Sequence, residues 1–274
     1  MPIRLLALDV DGTLLDSRGQ VRPRVEATVR ATIESNCTVV LATGRQLRSV
    51  EPIARRLGIR LVILVDGAVV YDLERREAVF ERTLGAMDLK VAIEIARENA
   101  LGPILFESPA LSGRVVAGPV ERDTPEVRTF LGRRDEVLRL SDDVLPLVER
   151  IVGMIAMGGS AGVQRAGQRA RAEERWSVCV WKPTPNGYQA DTLVLSPRDT
   201  SKGAALTWLA ERLAVARADT MAVGDYDNDI SLVAAAGLGV AMGNATTAVR
   251  EAARAVVASN DDEGVAEAIE RYIL

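Results

Sequence analysis

The sequence predicts a doubly wound α/β fold, in which a mostly parallel sheet carries helices on both faces. Short apolar runs, such as residues 3–8 and 39–42, end abruptly in polar or glycine-containing turns. Continuous rather than alternating apolarity is typical of central parallel strands, which are covered on both faces. Helical patterns such as residues 23–35, with apolar residues recurring on one face, alternate with these runs. Binding sites in such a fold lie at the carboxyl ends of the strands.

The other core elements continue this alternation along the chain. The further strand runs are residues 61–65, 221–223 and 238–242, and the further helical patterns are residues 46–57, 201–213, 246–253 and 263–272. Because the two groups are separated by a long stretch of different character, we expect one discontinuous core over residues 1–84 and 191–274.

The middle of the chain is patterned differently. Helix candidates at residues 84–100, 125–138 and 162–174 are mixed with strand candidates at residues 151–157, 177–181 and 188–195, a Pro- and Gly-punctuated stretch at 101–120 and a hairpin-like turn at 185–187. This mixture is typical of an α+β module with an antiparallel sheet. We therefore expect an inserted α+β domain over residues 85–190.

Composition narrows the chemistry that this chain of 274 residues can perform. The absence of histidine excludes a Ser-His-Asp triad, Cys-His catalysis, a phosphohistidine intermediate and zinc sites that rely on imidazole. A net charge of −4 disfavours nucleic acid as a partner, since nucleic-acid binding needs a dense basic surface. No segment approaches the roughly 20 apolar residues of a membrane span. The two cysteines are far apart, and we expect a cytoplasmic protein.

Two carboxylates follow the first strand, in the run DVDGT at residues 9–13. An Asp-Gly hairpin turn explains this run equally well, whereas a calcium loop would need a further ligand before the glycine and a preceding helix. Asp9 and Asp11 can converge on one cation. One can act as a nucleophile toward phosphorus while the other exchanges a proton with the leaving oxygen. Gly12 would let the backbone turn tightly and aim N–H groups at an anion.

Two helix starts offer groups that suit a phosphate. Thr43-Gly44-Arg45 combines a hydroxyl, a helix N-terminus and a guanidinium, although Thr43 alone is more simply explained as an N-cap. Lys202 opens a later helix, where a cation opposes the helix dipole. The chain has only three lysines and otherwise uses arginine, so Lys202 suggests a compact charge aimed at an anion. Taken alone, a solvated surface lysine is the simpler explanation.

The run GDYDND at residues 224–229 crowds three aspartates and one asparagine into five positions. Such like charges are costly unless a cation offsets them, and Mg²⁺ takes one or two carboxylates together with water and phosphate oxygens. The alternative is an Asp-rich N-cap for the next helix, and we favour metal binding. All four motifs follow predicted strands or open helices, and together they supply the parts that phosphoryl transfer needs.

These motifs resemble those of the haloacid dehalogenase superfamily, and within it the Cof-type sugar-phosphatase branch. The resemblance rests on DVDGTLLD, LATGR, SKGAAL, GDYDND, AMGNA and SNDDEGVAEAI, which occur in the family's order. It implies a Rossmann-like core with an α/β cap inserted between the second and third motifs. By the same resemblance, Asp9 is the nucleophile that forms an aspartyl-phosphate, and Asp11 protonates the leaving alcohol and then activates water.

The resemblance also implies a metal site and a phosphate site. Mg²⁺ would be held by Asp9, the backbone carbonyl of Asp11, and Asp225, with Asp229 in support. Thr43 and Lys202 would bind the transferring phosphoryl group. The further residues that we expect to bind the phosphate are Gly12, Thr13, Gly44, Arg45 and Asn228.

Two positions depart from the family's pattern. Relatives often carry Asn-Gly-Ala where this chain has Asp66-Gly67-Ala68, which adds a negative charge near the expected site. Tyr226 stands where a small residue is common. Neither change touches the expected catalytic groups.

We therefore expect a Mg²⁺-dependent phosphatase that hydrolyses a small phosphorylated metabolite, with sugar phosphates as one candidate class. A phosphomutase with the same aspartyl-phosphate chemistry is an alternative, and it would depend on a bisphosphate activator. A phosphoacceptor module without turnover is another, and it would accumulate a long-lived phosphorylated protein. The sequence identifies neither the substrate nor the oligomeric state.

Overall fold

The computed structural model describes residues 2–117, 125–132, 137–139, 149–182 and 190–274. The chain forms two compact units, Met1–Phe80 with Ser201–Leu274, and Glu81–Thr200. The expected turn at residues 185–187 and the first residues of the expected strand 188–195 lie outside the described residues. In the described part of the chain, no helix has the length and apolar character needed to cross a membrane.

The strands and helices of both units follow in chain order, and they alternate through most of the first unit. The strands are β1 (Leu5–Leu8), β2 (Thr38–Ala42), β3 (Leu61–Leu64), β4 (Val69–Asp72), β5 (Glu77–Glu81), β6 (Gly102–Glu107), β7 (Val115–Ala117), β8 (Val137–Arg139), β9 (Ile151–Met157), β10 (Trp176–Trp181), β11 (Thr192–Pro197), β12 (Thr220–Gly224), β13 (Leu238–Ala241) and β14 (Ala255–Val256). The helices are α1 (Pro23–Glu34), α2 (Leu47–Leu57), α3 (Ala86–Glu98), α4 (Pro125–Gly132), α5 (Ser160–Ala172), α6 (Lys202–Arg212), α7 (Ile230–Ala235), α8 (Thr247–Ala252) and α9 (Gly264–Tyr272).

The first unit is built on an eight-stranded sheet in the order β14-β13-β12-β1-β2-β3-β4-β5. The strands from β14 to β3 pair in parallel. Leu5 of β1 packs with Leu206 and Leu209 of α6 in a core cluster on one face, and Leu6 and Leu8, which point to the other face, are equally buried. Burial on both faces explains the continuous apolar runs and confirms the doubly wound α/β prediction.

We did not predict from the sequence that this sheet has an antiparallel edge. β4 pairs antiparallel with β3, with Leu64 opposite Val69. The chain reverses over Val65, Asp66 and Gly67, which all have positive φ. Asp-Gly between two short apolar runs is a hairpin signal, so the local sequence contained the information that the chain turns back here.

The second unit has a six-stranded sheet in the order β10-β11-β9-β6-β7-β8, antiparallel except between β7 and β8. Helices α3 and α5 contribute Ile93, Ala96 and Val163 to a cluster with Leu105 and Met154 of the sheet. The expected α+β character is therefore present.

Two details of the second unit differ from the sequence-based expectations. The expected helix at residues 125–138 ends at Gly132 and is followed by β8. β11 pairs with β10 and β9 through Pro197, so this end of the unit lies at Thr200 rather than at residue 190. The apolar run of β11 could pack in either sheet, and nothing in its own sequence indicates that it joins the sheet of the second unit.

Candidate active site

The parallel pairing of three strands brings the first, second and fourth motifs to one edge of the sheet. Leu8 is aligned with Val223 of β12 and with Leu41 of β2. Asp9, Asp225 and Thr43 follow these strand ends. Because parallel strands end at the same edge, residues that are more than 200 positions apart in sequence become neighbours. Asp9, Thr43 and Asp225 are all buried.

Lys202 joins this group from the first turn of α6. The helix is capped by Ser201, whose Oγ accepts the backbone N–H of Ala204 at 3.1 Å. The Lys202 side chain is 1% exposed, and its Nζ donates to Oδ1 of Asp9 and to Oδ1 of Asp229, each at 2.7 Å. Burial alone would lower the pKa of Lys202, but the carboxylates of Asp229 and Asp9 outweigh that cost and raise the pKa above its usual value. Lys202 is therefore a buried ammonium and not a solvated surface lysine.

Three carboxylates crowd around this ammonium. Oxygens of Asp9, Asp225 and Asp229 all lie within 4.8 Å of one another. Burial, and next the charge of Asp229, raise the pKa of Asp9 well above its ordinary value and that of Asp225 to about 7. Lys202 supplies one positive charge against three carboxylates, so the ionised cluster has excess negative charge. An all-oxygen donor set with uncompensated charge fits a hard divalent cation, which Asp9, Asp225 and Asp229 could hold.

Hydrogen bonds fix the orientation of the two acids from the fourth motif. Oδ2 of Asp229 accepts the backbone N–H groups of Asp225 (3.0 Å) and Tyr226 (3.1 Å). Oδ1 of Asp225 accepts the hydroxyl of Thr13 at 2.9 Å. We expected Thr13 to bind phosphate, and in the structure its hydroxyl serves Asp225. Asp229 is fully buried and is hydrogen-bonded through both oxygens, which fixes its carboxylate in place.

Asp11 lies apart from the buried cluster and is paired with Arg45. The Asp11 side chain is 41% exposed, and Arg45 binds it bidentately, with Nε 2.8 Å from Oδ2 and Nη2 2.5 Å from Oδ1. Thr43 Oγ1 accepts the backbone N–H of Arg45 at 3.1 Å, and Gly44 lies half-buried between them. We expected the Arg45 guanidinium at the phosphate. In the structure it contacts Asp11, because Asp11 follows β1, which is the strand next to β2.

Asn244 and Asn260 also belong to this site although we assigned them no role from the sequence. Asn244 Nδ2 donates to the backbone carbonyl of Gly12 at 2.8 Å and lies 3.3 Å from Oδ2 of Asp225, and its Oδ1 accepts the backbone N–H of Asn260 at 3.0 Å. Asn244 and Asn260 lie in AMGNA and SNDDEGVAEAI, so these motifs were the available signal for them.

Asn228, which we expected at the phosphate, contacts Asp66 in the structure: its Nδ2 donates to Oδ1 of Asp66 at 2.9 Å.

Haloacid dehalogenase-like hydrolases match this chain over residues 6–269. The chain belongs to this family. This chain is similar to phosphatase YwpJ of Bacillus subtilis, with 31% identity over 99% of this chain and 100% of the relative. Phosphoglycolate phosphatase of Pyrobaculum neutrophilum is 30% identical over 98% of this chain and 96% of the relative.

A solved structure agrees with these relatives. A haloacid dehalogenase-like hydrolase from Bacteroides thetaiotaomicron superposes with a TM-score of 0.82 and 27% identity, over 98% of this chain and 99% of that chain. The comparisons confirm the resemblance stated from the motifs and the fold class. They also identify the chain as an enzyme that hydrolyses phosphoric monoesters.

Gly12 of this haloacid dehalogenase-like hydrolase is expected to tolerate no side chain. Its φ is +79°, and a Cβ there would lie 2.3 Å from Oδ2 of Asp225. Gly12→Ala should therefore displace Asp225 and lower phosphate release at least about tenfold, since small misplacements of catalytic groups are costly. Gly19→Ala is a matched control, because Gly19 has a φ of +73° but no atom within 4 Å of a Cβ. Equal activity of the two variants in a phosphate-release assay would contradict this steric account.

Proposed function

We propose that this enzyme is a Mg²⁺-dependent phosphatase that hydrolyses a small phosphorylated metabolite through an aspartyl-phosphate on Asp9. The observation that carries the proposal is the pairing of a buried, lysine-bound carboxylate with an exposed acid two residues later. Asp9 is 4% exposed and its Oδ1 is held by Lys202, whereas Asp11 faces solvent beside Arg45. A fixed nucleophile and an accessible proton carrier are the two groups that a double displacement at phosphorus needs.

In the first step, a carboxylate oxygen of Asp9 would attack the phosphorus atom. An acyl-phosphate bond forms while the bond from phosphorus to the ester oxygen breaks, and Asp11 gives its proton to that oxygen, so that an alcohol leaves. Lys202 would stabilise negative charge on the phosphoryl oxygens. We assign Thr43 and Asn228, with N–H groups of the turns at Gly12–Thr13 and Gly44, to the other phosphoryl oxygens.

In the second step, Asp11 would take a proton from a water molecule whose oxygen attacks the same phosphorus atom. The bond between phosphorus and the Asp9 oxygen breaks, inorganic phosphate leaves, and both carboxyl groups return to their starting states. Because Arg45 grips both oxygens of Asp11, we assign Arg45 to orienting this acid rather than to contacting the phosphate.

The metal-binding residues of the proposal are Asp9, Asp225 and Asp229, together with the backbone carbonyl of Asp11. A Mg²⁺ ion bound there would offset the excess negative charge of the cluster and lessen its repulsion of a phosphate.

We assign the choice of substrate to the inserted unit, Glu81–Thr200. Every catalytic group of the proposal belongs to the first unit, so the part of the substrate that differs between metabolites is left for the insertion to recognise. The phosphoglycolate phosphatase relative acts on a small phosphate ester, which supports this size class, and sugar phosphates stay a candidate within it.

The proposal is tested by measuring phosphate release from a panel of phosphate esters with Mg²⁺ and again after chelation with EDTA. At least one ester should be hydrolysed with Mg²⁺, and EDTA should abolish the reaction, because the cluster then keeps its unbalanced charge. Undiminished hydrolysis in EDTA would contradict the metal assignment. Dependence on a bisphosphate activator with little free phosphate would indicate a phosphomutase, and a stable phosphoprotein without turnover would indicate a phosphoacceptor module.

A further inference from the structure

We propose that Asp66 is a positioning residue, which holds the amide of Asn228 in the orientation that phosphate binding requires. The inference rests on the proposed function, because it assigns Asn228 to the phosphate. It starts from a half-buried acid that the proposed mechanism does not use and that lies beside the assigned phosphate residue Asn228. Asp66 itself contacts Asn228 and needs no contact with substrate.

The turn at Asp66 includes a strained residue, Val65, that an Asp-Gly turn alone does not require. Val65, Asp66 and Gly67 have φ values of 49°, 51° and 99°. Aspartate and glycine tolerate the left-handed region, but a β-branched valine there is an outlier. Such strain persists only where the surroundings impose it, and it is concentrated at functional sites.

Two of the other motifs impose this turn. The backbone N–H of Val65 donates to the carbonyl of Arg45 at 3.2 Å, and that of Asp66 donates to the carbonyl of Thr43 at 3.1 Å. On the other side, a Cβ on Gly67 would lie 2.2 Å from the carbonyl oxygen of Ser201, so the turn packs directly against the residue before Lys202. The position of the Asp66 carboxylate is thus set by the same segments that carry Thr43, Arg45 and Lys202.

The chemistry of a carboxylate then decides how Asn228 is oriented. Asn228 Nδ2 donates to Oδ1 of Asp66 at 2.9 Å. An ionised carboxylate only accepts hydrogen bonds, so it selects the amide nitrogen of Asn228 and turns the amide oxygen away. An asparagine at position 66 could face either end of that amide. Burial raises the pKa of Asp66 above its usual value, and the charge of Lys202 and the Asn228 hydrogen bond oppose that rise.

The test is a double-mutant cycle that follows binding of inorganic phosphate in the presence of Mg²⁺ by isothermal titration calorimetry. Asp66→Ala and Asn228→Ala should each weaken phosphate binding by about 10- to 150-fold, the range for a hydrogen bond to a charged group. The double variant should be no weaker than Asn228→Ala by more than about 2-fold, because Asp66 acts through Asn228. Asp66→Asn keeps a hydrogen-bonding partner but no longer selects the amide nitrogen of Asn228, so its phosphate affinity should lie between those of the wild type and Asp66→Ala.

Three results would overturn the inference. Independent, multiplying losses in the double variant would show that Asp66 does not act through Asn228. Tighter phosphate binding by Asp66→Ala would show that its charge mainly repels the ligand. A lowered melting temperature with unchanged phosphate binding would show a purely structural role.

Failure of the proposed function would look different. A wild-type enzyme that binds phosphate but hydrolyses no ester would contradict the phosphatase proposal while the cycle still decides the role of Asp66. A wild type that binds no phosphate with Mg²⁺ would overturn both.

Discussion

Asp9→Asn is expected to reduce phosphate release by at least about a thousandfold, because the nucleophile that forms the covalent intermediate is removed. The fold should survive the change. Asp9 is buried beside Asp229 and Asp225, and burial together with their charge raises its pKa. An amide of the same size is not charged in this environment, and Lys202 keeps its bond to Asp229. The melting temperature without metal should therefore equal or exceed that of the wild type.

The measurement pairs a phosphate-release assay with thermal denaturation in EDTA. Asp227→Asn is the matched control, since Asp227 lies in the same acidic loop but is exposed and accepts a hydrogen bond from Thr246 instead of joining the cluster. It should retain activity. Activity of Asp9→Asn equal to that of the control would contradict the proposed mechanism.

Lys202→Met is expected to damage both stability and catalysis. The substitution leaves Asp9 and Asp229 buried without their shared cation. Breaking a buried ion pair from one side costs about 3–5 kcal/mol, so the free energy of unfolding in EDTA should fall by that order. Phosphate release should drop by at least about a hundredfold, because a charge that stabilises the phosphoryl group is lost.

Two further variants separate this account from a packing defect. Lys182→Met removes an exposed lysine that bonds the buried Asp191 at 2.8 Å. Because the lysine is solvated and Asp191 keeps its hydrogen bond from Ser160, the free energy of unfolding should fall by about 1 kcal/mol or less. The double variant Lys202→Met with Asp9→Asn should unfold at a higher temperature than Lys202→Met alone, because one unpaired charge is removed. If the second substitution lowered the melting temperature instead, charge imbalance would not be the cause.

The sequence was most informative where a local pattern and its environment agree. Leu5–Leu8 is apolar throughout and lies between two parallel neighbours with both faces covered, as its pattern predicts. The four motifs place Asp9, Thr43, Lys202 and Asp225 next to strands or helix starts, and the parallel order of the sheet is enough to bring three of them together.

The sequence was less informative where a side chain chooses among several partners in space. The sequence alone did not show that the Arg45 guanidinium pairs with Asp11 or that the Thr13 hydroxyl donates to Asp225. In each case several partners lie within reach of a flexible or rotatable donor, and only three-dimensional distances separate them. The second unit shows the same limit, since nothing in the local sequence marks which sheet β11 joins.

The central place of β1 in its sheet has a consequence for how the protein is made. β1 pairs with β2, which leaves the ribosome soon after it, and with β12, which is synthesised about two hundred residues later. Until then one edge of the first strand has no partner strand, while Glu81–Thr200 already holds a hydrophobic cluster of its own. The inserted unit can therefore fold during translation before its host, and catalytic competence arrives only with the last third of the nascent chain.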